Sequence, residues 1–260
     1  MFETLEVSVD KAIGHLWLNR PQCLNALSAR TLEELAAAAR WFDAQDAVRV
    51  VVVGGRGRAF SAGADLDGFP SVGDAGLRQA ADLGRQMADA LEGMRAVSIA
   101  RIHGWCVGGG LVLAAACDLR VAAESARFSI PEINLGIPLA WGGIPRLVRE
   151  IGPALTKELV ITCREFSPAE ARAVGFLNQV VSEDGLDQAV DALARAVALR
   201  PVFPVAATKQ HVNAVTAQMV GIGRAWSDAD SLIGGLVDPE CAEARRIYIE
   251  ARGRQVNAAE

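Results

Sequence analysis

The 260-residue chain is poor in the side chains that bind metals or form disulfides. It has three dispersed histidines and five scattered cysteines, Cys23, Cys106, Cys117, Cys163 and Cys241. Since the cysteines show no CxxC spacing, the sequence predicts neither a zinc site nor a disulfide framework. We therefore expect no bound metal and reduced thiols, which favour a cytoplasmic location.

Basic clusters and long apolar runs are also lacking. Lys and Arg number 26 against 31 Asp and Glu, which gives a net charge of −5. Without a basic run, the sequence predicts no nucleic-acid surface. No apolar run reaches the about 20 residues that a membrane-spanning helix needs, and residues 1–10 do not have the pattern of a secretory signal. We expect a protein that acts on neither nucleic acid nor membrane.

Strand-like and helix-like segments alternate before residue 153, and helices alone follow it. The predicted strands are 5–9, 13–18, 49–53, 97–102, 119–122 and 127–130. The predicted helices are one starting at the capping-box spacing 31–34, then 77–94, 111–116, 153–163, 168–174, 186–199, 203–220, 223–236 and 239–253. This order predicts an α/β core with a helical C-terminal region. We divide the chain into a core at 1–200 and a helical region at 201–260.

Two glycine-rich turns, 57–66 and 103–110, each follow an apolar strand pattern. Two such turns can direct free backbone N–H groups at one oxygen and so stabilise an oxyanion. The first turn lacks the third glycine and the acidic ribose partner of a dinucleotide-binding motif, which disfavours that fold. In the second turn, glycines 108–110 either admit a ligand to the helix N-terminus or only let the helix pack tightly.

Glu132 follows a predicted strand and Pro131 inside an apolar stretch. A desolvated carboxylate there would have a raised pKa, which suits a general base. The alternative interpretation is a glutamate at a strand end, either solvated or paired with an arginine such as Arg146 or Arg149. Position alone favours that alternative.

Taken together and in order, the motifs resemble the enoyl-CoA hydratase/isomerase (crotonase) superfamily. The segments that carry the resemblance are 19–27, 59–66, 108–110, 116–122, 128–136, 142–147 and 169–178. Each is weak alone, but their order is specific. The resemblance implies a crotonase-like spiral of repeated ββα units with helices at the C-terminus. It also implies an acyl-CoA thioester as substrate and an enolate intermediate.

The resemblance also implies roles for individual residues. Ala64 and Gly109 would be the two oxyanion-hole donors to the thioester oxygen, and Glu132 would be the acid/base. Coenzyme A, as part of the substrate and not as a tightly bound cofactor, would lie along Gln22, Cys23, Leu24, Ala62, Asp65 and Leu66. A loop at 67–76 would border the acyl pocket, with Asp67 at its mouth. The subunits would assemble into a trimer, or a hexamer of two trimers.

Three positions depart from the family pattern. Hydratases of the family carry a second glutamate where this chain has Val112, so Glu132 would act alone. Dienoyl-CoA isomerases carry an acidic residue where this chain has Ala140. Trp141 either lines the pocket or packs beneath the following helix. We therefore favour double-bond isomerisation slightly over slow hydration, and non-catalytic acyl-CoA binding, thioester hydrolysis and C–C cleavage stay open.

Overall fold

A six-stranded, mostly parallel sheet forms the centre of the computed structural model, which describes residues 2–66, 76–221, 223 and 228–257, with side chains up to 251. The strand order is β1-β2-β3-β4-β6-β8, and only β1 runs antiparallel to its neighbour. These strands are β1 (Leu5–Asp10), β2 (Ile13–Leu18), β3 (Val50–Gly55), β4 (Val97–Ile102), β6 (Leu119–Ala123) and β8 (Gln179–Val181).

A second, two-stranded sheet holds β5 (Trp105–Val107) parallel to β7 (Arg127–Ser129). An isolated parallel bridge between Ser61 and Cys106 extends this sheet to the first glycine turn. Each long parallel strand is thus followed by a short segment in a second layer and then by a helix. That sequence of elements is a ββα unit, as in β4-β5-α3 and β6-β7-α4.

Helices cover both faces of the large sheet. They are α1 (Ala29–Asp43), α2 (Leu77–Glu92), α3 (Gly109–Ala116), α4 (Gly143–Thr162), α5 (Pro168–Ala173), α6 (Leu186–Ala198), α7 (Val202–Met219), α8 (Asp228–Val237) and α9 (Pro239–Asn257). Val51 and Val53 pack on the side of α1, α2 and α3, whereas Val50 and Val52 pack on α6. A strand buried on both faces explains the unbroken valine run.

The C-terminal helices differ in how they meet the core. Helix α8 packs on α2, and α9 packs on a short 3₁₀ helix at Ile133–Leu135. Leu232 and Leu236 of α8 are buried against Ile137. None of the described residues of α7 is buried. No described helix is both long and apolar enough to cross a membrane. The division of the chain at residue 200 stays a prediction.

Several local predictions were wrong at their boundaries. Helix α1 begins earlier than the spacing 31–34 predicts, because Ser28 caps it by accepting a hydrogen bond from the Thr31 N–H. Glu34 instead accepts three hydrogen bonds from Glu3 and Thr4. Helix α4 begins at Gly143 and bends at Gly152, just before Pro153.

The short strands β5 and β8 were not predicted. Each has only three residues, so neither carries a readable alternation of apolar and polar positions. Both depend on pairing with a strand that is distant in sequence, β7 for the first and β6 for the second. Such pairing is a property of the tertiary fold.

Candidate active site

The two glycine turns lie against each other. Gly63 has φ +92°, and a Cβ added there would lie 2.7 Å from the Val107 carbonyl oxygen and 3.4 Å from the Gly109 nitrogen. A side chain at position 63 would therefore push the turns apart. The first turn is fixed to the preceding loop, because the Leu27 N–H donates to the Gly63 oxygen at 2.8 Å.

The amides of Ala64 and Gly109 are left without acceptors. The parallel bridge at Leu27 uses the carbonyl of Gly63 and the N–H of Asp65, which leaves the intervening Ala64 amide free. Gly109 is the first residue of α3, where an N–H has no acceptor within the helix. Among the described residues neither amide donates a hydrogen bond. Both residues line the same cavity.

The three glycines at the start of α3 each make room for a different neighbouring residue. Gly108 has φ +50° and ψ −116°, and an added Cβ would meet the Glu132 Oε1 at 2.3 Å. A Cβ at Gly109 would meet the Trp141 ring at 2.2 Å, and one at Gly110 would meet the Ser61 Cβ at 2.8 Å. Gly110 thus serves helix packing, while Gly108 and Gly109 leave room for site side chains.

Glu132 is enclosed between Pro131 and the 3₁₀ turn that begins at Ile133. It is 8% exposed, and its Oε2 atom has no hydrogen-bond partner among the described residues. Burial without a compensating cation raises the pKa of Glu132 to about 7. The carboxyl group can therefore accept or release a proton near neutral pH.

The alternative of a salt-bridged Glu132 is wrong. In the described ranges, Arg146 pairs with Asp89 and Glu92, and Arg149 pairs with Glu92. Both arginines lie on α4 and hold it to α2. Their charges are thus neutralised away from Glu132.

Val112 lines the same cavity as Glu132, Ala64 and Gly109. It is completely buried on the first turns of α3. Position 112, where the resemblance to hydratases implies a second glutamate, therefore lies in the same cavity as Glu132, but it supplies only methyl groups. A water molecule between the two positions would meet one carboxylate instead of two.

The turn carrying Trp141 is held by residues that the sequence did not single out for this purpose. The Gly142 N–H donates to the Asp228 Oδ2 at 2.7 Å, and Arg146 Nη1 donates to the carbonyls of Trp141 and Gly142 at 3.3 and 3.2 Å. Burial raises the pKa of Asp228. The motif at 142–147 pointed to Arg146, but no local signal links Asp228 to a turn so distant in sequence.

The residues expected along coenzyme A lie in or next to the first glycine-rich turn, at 57–66, and outside the cavity. Gln22 and Cys23 lie in a 3₁₀ helix, and Leu24 follows it with φ +52°. Ala62 donates its N–H to the Leu24 carbonyl at 2.9 Å, which joins this loop to the turn. The structure thus brings the two predicted stretches together.

Asp65 and Leu66 are the last two residues of the first glycine-rich turn. Asp65 is paired with Arg20 at 2.6 Å, and Arg20 also donates to the Ala26 carbonyl, so this ion pair braces the turn. Leu66 packs against the cluster formed with the C-terminal helices. The predicted loop at 67–76, including Asp67, lies outside the described residues except for Gly76.

The titration of Glu132 should appear in the stability of the protein. Because the folded-state pKa of Glu132 lies near 7 and the ordinary pKa of a glutamate is 4.5, the folded state binds the proton more tightly. The free energy of unfolding should therefore fall as pH rises from about 4.5 to about 7, by about 2–4 kcal/mol, and then level off. Denaturant titrations across this range would measure the slope.

Two variants make this measurement specific to Glu132. In Glu132→Gln the contribution of residue 132 to the slope should disappear, because the amide does not titrate, so the fall in stability should be smaller than in the wild type. In Glu165→Gln, which changes an exposed glutamate, the slope should stay. Equal slopes in the wild type and Glu132→Gln would contradict the raised pKa.

Comparisons with known proteins identify the family of the chain. The family model described as Enoyl-CoA hydratase/isomerase matches residues 8–252. A probable enoyl-CoA hydratase of Rhizobium meliloti (strain 1021) is 40% identical over 187 residues, 71% of each chain. The peroxisomal Delta(3,5)-Delta(2,4)-dienoyl-CoA isomerase of Arabidopsis thaliana is 35% identical over 224 residues, 80% of this chain and 81% of its own.

A crystal structure of an enoyl-CoA hydratase/isomerase from Mycobacterium paratuberculosis superposes with a TM-score of 0.86 at 26% identity. The alignment covers 94% of this chain and 97% of that one. The fold and the site define an α/β protein with two free amides beside a buried carboxyl group. The chain belongs to the enoyl-CoA hydratase/isomerase family of the crotonase superfamily, which confirms the predicted fold.

Proposed function

We propose that the protein isomerises the double bond of an enoyl-CoA thioester, with Glu132 as the only acid/base. The observation that carries this proposal is the cavity shared by the amides of Ala64 and Gly109, the carboxyl group of Glu132 and the methyl groups of Val112. Two donors and one proton carrier are enough for a double-bond shift. Hydration would use two carboxylates to orient the water, and among the described residues that line this cavity Glu132 alone carries one.

The reaction begins when the thioester oxygen accepts hydrogen bonds from Ala64 and Gly109. Glu132 as carboxylate removes a proton from C2 of a 3-enoyl thioester, and the electron pair moves into the carbonyl to form a dienolate. The amides stabilise the developing negative charge, each by roughly 3 kcal/mol. Glu132 then returns the proton to C4, which leaves the double bond between C2 and C3.

The cavity favours this proton transfer in two ways. Burial raises the pKa of Glu132 to about 7, so the carboxyl group can act as base and then as acid. The orphaned Oε2 has no arginine or amide to hold its charge in place. The carboxylate is therefore a stronger base than a solvated glutamate and takes up the proton from the substrate more readily.

The names of the relatives include both a probable hydratase and a dienoyl-CoA isomerase, so they support a reaction of this family without choosing between the two. Dienoyl-CoA isomerisation is disfavoured here, because Ala140 stands where an acidic residue would be needed. Slow hydration by Glu132 alone and non-catalytic binding of acyl-CoA are the two competing functions.

Products distinguish these functions directly. The protein is incubated separately with a 3-enoyl-CoA and a 2-enoyl-CoA, and the products are followed by mass and absorbance. The expected result is conversion of the 3-enoyl to the 2-enoyl thioester without a change in mass. A gain of one water from the 2-enoyl thioester as the main reaction would overturn the proposal in favour of hydration. Measurable binding without product would indicate a binding protein.

We also propose that the subunits form a trimer or a hexamer, as the resemblance implies, and that no cofactor is tightly bound. Helix α7 supports an oligomer, because it exposes Phe203, Val212, Val215 and Met219. Of these, Val212, Val215 and Met219 follow the i, i+3, i+7 spacing of one helix face, and an exposed apolar patch of this kind is typical of interaction surfaces. The cytoplasmic location stays a prediction from the scattered cysteines.

A further inference from the structure

Trp141 fills a slot between α2 and α3, beside the two glycine-rich turns. A Cβ added at Gly84 of α2 would lie 2.0 Å from the indole Cδ2, and one at Gly109 of α3 would lie 2.2 Å from Cζ3. Only glycine at both positions leaves the indole enough room. The slot is thus formed by the backbone at Gly84 and at Gly109, where no side chain stands between the helix and the indole ring.

The backbone at Trp141 is held in an unusual conformation. Its φ is +61°, a left-handed value that is unfavourable for a residue with a side chain. The neighbouring turn atoms are fixed by hydrogen bonds to Asp228 and Arg146. A strained residue of this kind persists where the surroundings determine its position. The indole is therefore held in the slot by the fold on several sides.

The indole leaves little space next to Glu132. The cavity has a volume of about 30 Å³ and is lined on this side by apolar residues of the 137–141 turn and by Leu232 of α8. That volume is close to the roughly 30 Å³ that one water molecule occupies in the liquid, whereas ligand pockets commonly measure about 300–1,000 Å³. Trp141 lines this cavity together with Ala64, Gly109 and Glu132, so an acyl chain that extended from the two amides would meet the indole.

We propose that Trp141 is a specificity-determining residue that restricts this protein to acyl-CoA thioesters with a short acyl group, of butyryl or crotonyl size. This inference rests on the proposed function, because it requires that the thioester lie at Ala64 and Gly109. A longer chain would have to displace the indole from between Gly84 and Gly109. Displacement would require changes in the turn held by Asp228 and Arg146.

Binding of saturated thioesters tests the size limit without any turnover. Dissociation constants of butyryl-CoA, hexanoyl-CoA and octanoyl-CoA are measured by calorimetry for the wild type, Trp141→Ala and Trp141→Gly. The wild type should bind butyryl-CoA at least about 10-fold more tightly than octanoyl-CoA. In both variants octanoyl-CoA should gain about 10-fold or more, because each buried methylene contributes roughly a factor of four.

A matched control separates the slot from the loss of any tryptophan. Trp41→Ala removes a half-exposed indole from α1, and it should leave the wild-type order of affinities unchanged. Octanoyl-CoA binding to the wild type as tightly as butyryl-CoA would overturn the size limit while leaving the acyl-CoA site intact. No binding of any thioester would instead overturn the proposed function and, with it, this inference.

A stability measurement tests the slot itself, independently of any ligand. Gly84→Ala should lower the melting temperature of the wild type, because its Cβ collides with the indole. In the Trp141→Gly background the same change should be neutral or stabilising, since alanine is the better helix former. Such a difference between backgrounds is the coupling of residues in contact. Equal effects in both backgrounds would show that the indole does not occupy the slot and would overturn the proposal.

Discussion

Glu132→Gln is expected to reduce turnover of 3-enoyl-CoA by about 10²–10⁴-fold, the usual contribution of a positioned acid/base. The glutamine keeps the size of the side chain, but it can neither accept the proton from C2 nor return it to C4. Since the contacts proposed for the thioester oxygen are the amides of Ala64 and Gly109, the affinity for the thioester should stay within a few-fold. Single-turnover kinetics and calorimetry with a saturated thioester measure the two effects separately.

The effect should be specific to the buried carboxyl group. Glu165→Gln changes an exposed glutamate and should keep wild-type activity. In the wild type, kcat/KM should rise with pH up to about 7 and then level off, because the free enzyme needs the carboxylate form of Glu132. Full activity of Glu132→Gln would exclude Glu132 as the acid/base.

Val112→Glu is expected to raise hydration of 2-enoyl-CoA by about 10²-fold or more, because it supplies the second acid/base group. Val112 and Glu132 line one cavity, so a carboxylate at 112 could hold a water molecule together with the one at 132. The rate of water addition is measured by the loss of enoyl absorbance and the gain in mass.

The control for this gain of activity is Val112→Gln, which has nearly the same size and no acid. It should hydrate the substrate no faster than the wild type. Thermal unfolding of both variants shows whether the larger side chain is accommodated, because Gly143 lies close to the valine methyl groups. If the folded glutamate variant hydrates no faster than the glutamine variant, position 112 does not face the reacting carbons.

The sequence predicted the general fold because its elements are marked by local patterns. The valine run of β3 indicated a strand buried on both faces, and the structure places α1 to α3 on one face and α6 on the other. Short elements without such patterns were missed, as β5 and β8 illustrate. The start of α1 was misplaced because Ser28 caps it, while Glu34 binds the backbone at residues 3 and 4.

The candidate site was predictable to a different degree at each residue. The order of the motifs pointed to Ala64, Gly109 and Glu132, and the structure places all three around one cavity. The sequence left open whether Glu132 is paired with an arginine. Only the fold decides this, because Arg146 and Arg149 are drawn to Asp89 and Glu92 on α2. The isolation of the carboxyl group thus depends on contacts made by other residues.

By itself, then, the sequence determined the family, the positions of the two glycine-rich turns and the replacement of the second glutamate by Val112. These are properties of single positions and of their order. The tertiary structure alone decided that Gly108 makes room for the carboxyl group of Glu132, and that Gly84 and Gly109 enclose Trp141. The physical reason is that a missing side chain has meaning only through the atom that occupies its space, and that atom belongs to a distant part of the chain.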